Sequence, residues 1–122
     1  MTADRSVRID ERAAEQIADT MFALSTPSRV QILGCLLDRP RSVKDLTETL
    51  GMEQSAVSHQ LRVLRDHALV TVVERVGRRR VYGLHDEHVT ALVEDALRHV
   101  DRRAAPKKQT SSRRDVRRAA EG

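Results

Sequence analysis

Between Glu11 and Leu24 the apolar residues Ala14, Ile17, Ala18, Met21 and Leu24 recur at the spacing of one helix face. Ser25-Thr26-Pro27 closes that segment and opens the next, since proline suits a first helical position where its missing N–H leaves nothing unpaired. The second helix carries Val30, Leu33 and Leu37 on one face and stops at Pro40. Ser42, followed three residues on by Asp45, has the form of a capping box and predicts a short third helix over Val43–Leu50, closed by Gly51. A fourth helix is expected from about Glu53 to His67, with Val57, Leu61, Leu64 and Ala68 as its apolar stripe. The pattern then changes. LVTVVER (69–75) is β-branched and reads as a strand, Val76-Gly77-Arg78 as a turn, and RRVYGL (79–84) as the returning strand. Val89, Leu92, Val93, Ala96, Leu97 and Val100 then form the most regular amphipathic helix of the chain.

Helix, helix, helix, helix, hairpin, helix is the order of a mainly α fold with a β-hairpin wing, a winged helix-turn-helix (α-α-α-α-β-β-α). Its expected extent is residues 11–103, after a loose polar N-terminus over 1–10. From Ala104 to Gly122 the chain is basic, with six Lys and Arg against Asp115 and Glu121, and nearly free of apolar residues; it reads as a disordered tail. That tail takes up the whole net charge of +4. It is either a solubilising extension or a loose contact to phosphates.

Composition sharpens this reading. With 122 residues, one Phe, one Tyr and no Trp, the core rests on Leu, Val, Ile and Ala, and a domain so small gains from a second subunit. Cys35, the single cysteine, lies in an apolar run and is expected to be a small buried core residue rather than a redox or metal thiol. No signal peptide or membrane span is seen, so a cytoplasmic location is expected. No nucleophile with a base, carboxylate pair or phosphate loop stands out, and His67 and His85 read as capping or hydrogen-bonding side chains. An enzyme is not expected.

The stretch MEQSAVSHQLRVLRDHALV poses a question, because its helix carries serines, a histidine and a glutamine where a solvated face would favour Glu, Lys and Ala. On a helical wheel Ser55, Ser58, His59 and Arg62 fall on a stripe facing away from Val57, Leu61 and Leu64. Short polar side chains allow close approach to a major groove, where Gln pairs with adenine and Arg with guanine. Arg75, Arg78, Arg79 and Arg80 crowd the hairpin, placed for phosphate contacts that fix register without reading sequence. Together these features point to double-stranded DNA.

The segments TPSRVQILGCL and VKDLTETLGMEQSAVSHQLRVLRDHALV and the hairpin ending VYGL resemble the ArsR/SmtB family of metal-responsive transcriptional regulators, over roughly residues 11–103. The resemblance implies a homodimer, paired through its first and last helices, on an inverted-repeat operator. It also places Gln54, Ser55, Ser58 and His59 at the family's DNA-reading positions. The family's thiol site would need cysteines in SVKDLTETL, and there are none.

The last helix offers other donors. In HDEHVTALVEDALRHVDR, Asp86 and His88 precede His99, and His88 alone is already about 16 Å of helix rise from it, too far for one ion to bridge within one helix. Two antiparallel copies would bring Asp86 and His88 of one chain to His99 of the other, twice per dimer. This spacing resembles the last-helix site of the family's zinc, nickel and cobalt sensors, nearest the NmtR-type nickel/cobalt branch. The family pattern continues with His or Glu where this chain has Arg102, which cannot ligate. Asp101, His85, water or the N-terminus is left to complete the shell, an incomplete set that suits octahedral Ni²⁺ or Co²⁺ better than Zn²⁺. Alternatively, Arg102 pairs with Asp86 across the dimer in place of metal. Two rivals therefore stay open: a metal-insensitive regulator controlled by a partner protein or other signal, and a protein-interaction module.

Overall fold

The computed structural model describes residues 8–104, with side chains up to Asp101; the first seven residues and the basic tail from 105 lie outside the described residues. Eight elements follow one another: α1 (Glu11–Ala23), α2 (Pro27–Asp38), β1 (Arg41–Ser42), α3 (Val43–Leu50), α4 (Gln54–Asp66), β2 (Val70–Val76), β3 (Arg79–Leu84) and α5 (Glu87–Ala104). Residues up to Thr90 form one compact unit, and the remainder of α5, from Ala91, forms a second.

Local chemistry accounts for the boundaries. Asp10 caps α1 by accepting the Ala13 N–H at 2.8 Å, and Pro27 opens α2. The predicted capping box is present in full: the Ser42 hydroxyl accepts the Asp45 N–H at 3.1 Å and the Asp45 carboxylate accepts the Ser42 N–H at 3.0 Å. Gly51 ends α3 with φ of 68°, a left-handed conformation that an L side chain resists. Arg41 joins the ends of α2 and α3, donating to the Cys35 carbonyl, the Thr49 hydroxyl and the Asp38 carboxylate.

The sheet is antiparallel in the order β1-β3-β2. The hairpin pairs Val70 with Leu84 at its base and Val76 with Arg79 at its tip, with a bulge between Val72 and Glu74. β1 pairs Arg41 with Tyr82 and Ser42 with Val81. This short strand was not expected, because two residues carry no alternation to detect. It fastens the wing to the start of α3.

The core of the first unit comprises Ala23, Ile32, Leu33, Leu36, Leu46, Val57, Leu61, Leu64, Leu69, Val70, Tyr82 and Val89. Three expectations change. Ala68 is not part of the α4 stripe; it is exposed with φ of 56°. There the Leu69 N–H reaches back to the Leu64 carbonyl and the Ala68 N–H to that of Arg65, a Schellman closure. Val30 is exposed, so the buried face of α2 is set by Ile32, Leu33 and Leu36. Cys35 is half-buried rather than a full core residue.

Candidate nucleic-acid interface and sensory helix

α4 is two-faced. Val57, Leu61 and Leu64 are buried to within 1%, and Gln54, Ser55, Ser58, His59 and Arg62 are all exposed. Glu53, the N-cap residue, contributes no side-chain hydrogen bond. The first N–H groups of α4 therefore stay open to water or to a phosphate.

A cleft of about 720 Å³ lies between α3, α4 and the wing. Gln54, Ser58 and Arg62 line it from α4, and Arg78, Arg79 and Arg80 from the hairpin. Lys44 and Arg65, which sequence reasoning did not single out, line it too. Arg65 stands three residues after Arg62 and seven after Ser58, so the helical wheel that selected those two could also have selected it. With Asp66 as the sole carboxylate of the lining, the cleft is strongly cationic. Such a concave positive surface concentrates phosphate charge. Ser55 and His59 are exposed on α4 but do not line the cleft, and Arg75 borders a separate shallow depression with Arg65 and Thr71–Glu74.

Arg79 has an internal task as well. Its guanidinium donates to the Ser42 hydroxyl at 2.9 Å and lies 3.8 Å from the Asp45 carboxylate. The wing is thereby tied to the capping box of α3. The Asp45 carboxyl is held below its ordinary value, chiefly by the Ser42 N–H, then by the Ser42 hydroxyl, against a burial penalty, with the charges of Arg79 and Arg39 adding the least.

A second arginine was missed altogether. Arg29, 8% exposed, donates through Nε to the Ala23 carbonyl, through Nη2 to the Phe22 carbonyl at 3.4 Å and through Nη1 to Gln60 Oε1 at 2.9 Å. An arginine inside TPSRVQ carries no periodic mark that would announce its burial.

The sensory candidates lie at and after the start of α5. Asp86 caps the helix, its Oδ1 accepting the N–H groups of His88 and Val89, each at 3.0 Å. Those bonds, Val89 first, and the nearby His85 and His88 hold its carboxyl below the ordinary value against a burial penalty. The His88 Nδ1 stands 3.9 Å from Asp86 Oδ1, with its side chain 88% exposed. An ionised carboxylate beside an accessible imidazole is suitable donor chemistry for a divalent transition ion. His99 and Asp101 are exposed further along α5, and His85 is exposed at the end of β3. Among the described residues no three His, Cys, Asp or Glu side chains of one chain converge on a common point.

Comparison with known proteins gives a consistent result. Residues 26–72 match the family described as bacterial regulatory protein, arsR family. The chain is 54% identical over 94 residues to the HTH-type transcriptional regulator NmtR of Mycobacterium tuberculosis, covering 77% of this chain and 78% of that one. It is 40% identical over 87 residues to a transcriptional repressor SmtB homolog of Synechocystis, covering 71% of this chain and 65% of that protein. Among solved structures, apo-NmtR superposes with a TM-score of 0.68 at 46% identity, over 90% of this chain and 92% of that one. A homodimeric winged helix-turn-helix DNA-binding domain from Mycobacterium bovis superposes with a TM-score of 0.75 at 27% identity, over 90% and 99%.

Proposed function

The chain belongs to the ArsR family of bacterial regulatory proteins, DNA-binding regulators of transcription rather than enzymes, and from that premise we propose that it acts as a homodimer on an inverted-repeat operator and responds to a transition metal. The cationic cleft carries this reading, because it unites the polar face of α4 with the arginines of the wing. In each subunit α4 enters a major groove, Gln54, Ser58 and Arg62 meet base edges, and Arg78 and Arg80 meet phosphates. Ser55, His59 and Arg75 flank that contact, and Arg79 holds the wing in place.

Two apolar surfaces support a dimer. Ile17, Met21 and Phe22 of α1 are 42%, 48% and 70% exposed, and Leu97 and Val100 of α5 are both 54% exposed. Each helix by itself presents an apolar surface for a second copy, and the Mycobacterium bovis neighbour is homodimeric. Sedimentation of protein with its selected duplex is expected to give two chains per inverted repeat. One chain per site would refute the dimeric reading.

The metal reading rests on the Asp86–His88 pair. With His99, and Asp101 as a weaker fourth donor, two antiparallel copies of α5 would hold Ni²⁺ or Co²⁺, with Zn²⁺ less suited to an incomplete shell. Bound metal would restrain the dimer in a geometry that no longer matches successive major grooves. A coupling of about 1–3 kcal/mol lowers operator affinity roughly 5–150-fold. The test is operator affinity with and without each ion, for the wild type and for His99→Ala. The wild type should weaken with Ni²⁺ or Co²⁺ and the variant should not. Arg102 and the capping role of Asp86 favour a second reading, a metal-blind regulator answering to a partner protein or other signal, for which no ion changes affinity.

A further inference from the structure

Arg29 is the buried cation among the described residues, and nothing in the DNA contact itself uses it. Its guanidinium has no carboxylate partner among the described residues; it rests on the carbonyls of Phe22 and Ala23 at the end of α1. Those final carbonyls form the negative end of the helix dipole, a fitting counter-charge for a desolvated cation. The one side chain it grips is Gln60 of α4. Gln60 is half-buried, set between the exposed His59 and the buried Leu61.

That placement has a mechanical consequence. The apolar packing of Val57, Leu61 and Leu64 is non-directional and tolerates a small roll of α4 about its axis. A hydrogen bond from a planar, fixed fork does not. At its other end the fork holds the carbonyl of Phe22, a residue of the proposed dimer surface.

We infer that Arg29 is a positioning residue for sequence-specific recognition: anchored on the last carbonyls of α1, it sets the roll of α4 through Gln60 and so ties the DNA-reading face to the dimerising helix. The inference rests on the operator-binding reading above. Base-edge contacts depend on the orientation of α4, whereas phosphate attraction does not, so the clamp governs discrimination more than bulk affinity.

The test compares two affinities at one salt concentration: for the duplex that the wild type selects from a random pool, and for a random-sequence duplex of equal length. Gln60→Leu, which removes the acceptor, is expected to lower the ratio of the two by about tenfold, the equivalent of one charge-assisted hydrogen bond, with random-duplex affinity within about twofold of wild type. Gln60→Glu restores an acceptor for Arg29 and is expected to keep the ratio within about twofold, even as its charge weakens both affinities. A merely structural role would lower thermal stability and leave the ratio unmoved, overturning the inference. An equal fall with Leu and Glu would also overturn it, because Gln60 would then be reading bases directly. Should Gln60→Leu fail to fold, Gln60→Ala replaces it with the same expected ratio. A wild type that selects no duplex refutes the operator-binding reading, and this inference with it.

Discussion

Single residues carry opposite kinds of local cost. Ala68 holds a φ of 56° at the close of α4, where a Cβ is unfavourable. Ala68→Gly is expected to stabilise the fold by about 0.5–1 kcal/mol, read from the midpoint of chemical denaturation. Ser42 works the other way. It is 2% exposed, caps α3 and accepts from Arg79, so Ser42→Ala is expected to destabilise by about 1–2 kcal/mol. Two carboxylates confer a pH dependence. Asp45 and Asp86 both have folded-state values below their ordinary 3.8. Their contribution is therefore fully present above that value and is lost as pH falls through the folded-state values. Thermal melts should fall on acidification below about pH 4, and Asp45→Asn or Asp86→Asn should flatten that part of the profile.

At the level of elements, the wing divides its arginines between two tasks. Arg78 and Arg80 line the cleft with no ion pair among the described residues, whereas Arg79 is engaged with Ser42 and Asp45. Arg78→Ala with Arg80→Ala should therefore reduce the slope of log affinity against log salt by up to about 2 and leave the fold intact. Arg79→Ala should instead lower thermal stability as well, since it frees the wing from α3. The elements themselves were largely legible. The capping box at Ser42, the glycine closing α3, the proline opening α2 and the arginine-tipped hairpin each have a local cause visible in a few consecutive residues. The turn at Ala68 was not legible because it lacks the glycine that usually announces a Schellman closure, and β1 was not because a two-residue strand is imposed by a partner distant in sequence. Arg29 and Gln60 escaped for the same reason: their partnership spans 31 positions.

For the whole molecule, a small core and exposed apolar side chains on α1 and α5 favour a dimer, and a dimer turns one cationic cleft into two. Among the described residues no helix is long and apolar enough to cross a membrane. The stripe of Ser55, Ser58, His59 and Arg62 was readable in advance because helical periodicity separates it from Val57, Leu61 and Leu64, whereas Gln54 entered only through the family resemblance. The cleft was not, since it depends on how the wing folds back beside α3 and α4. The central claim is that this outer face of α4 reads DNA. Its most direct test is the affinity of Ser58→Ala with Arg62→Ala for the duplex that the wild-type protein selects. Loss of two base-reading contacts of about 1–3 kcal/mol each predicts a drop of at least tenfold with unchanged thermal stability; wild-type affinity in that double variant would contradict the account.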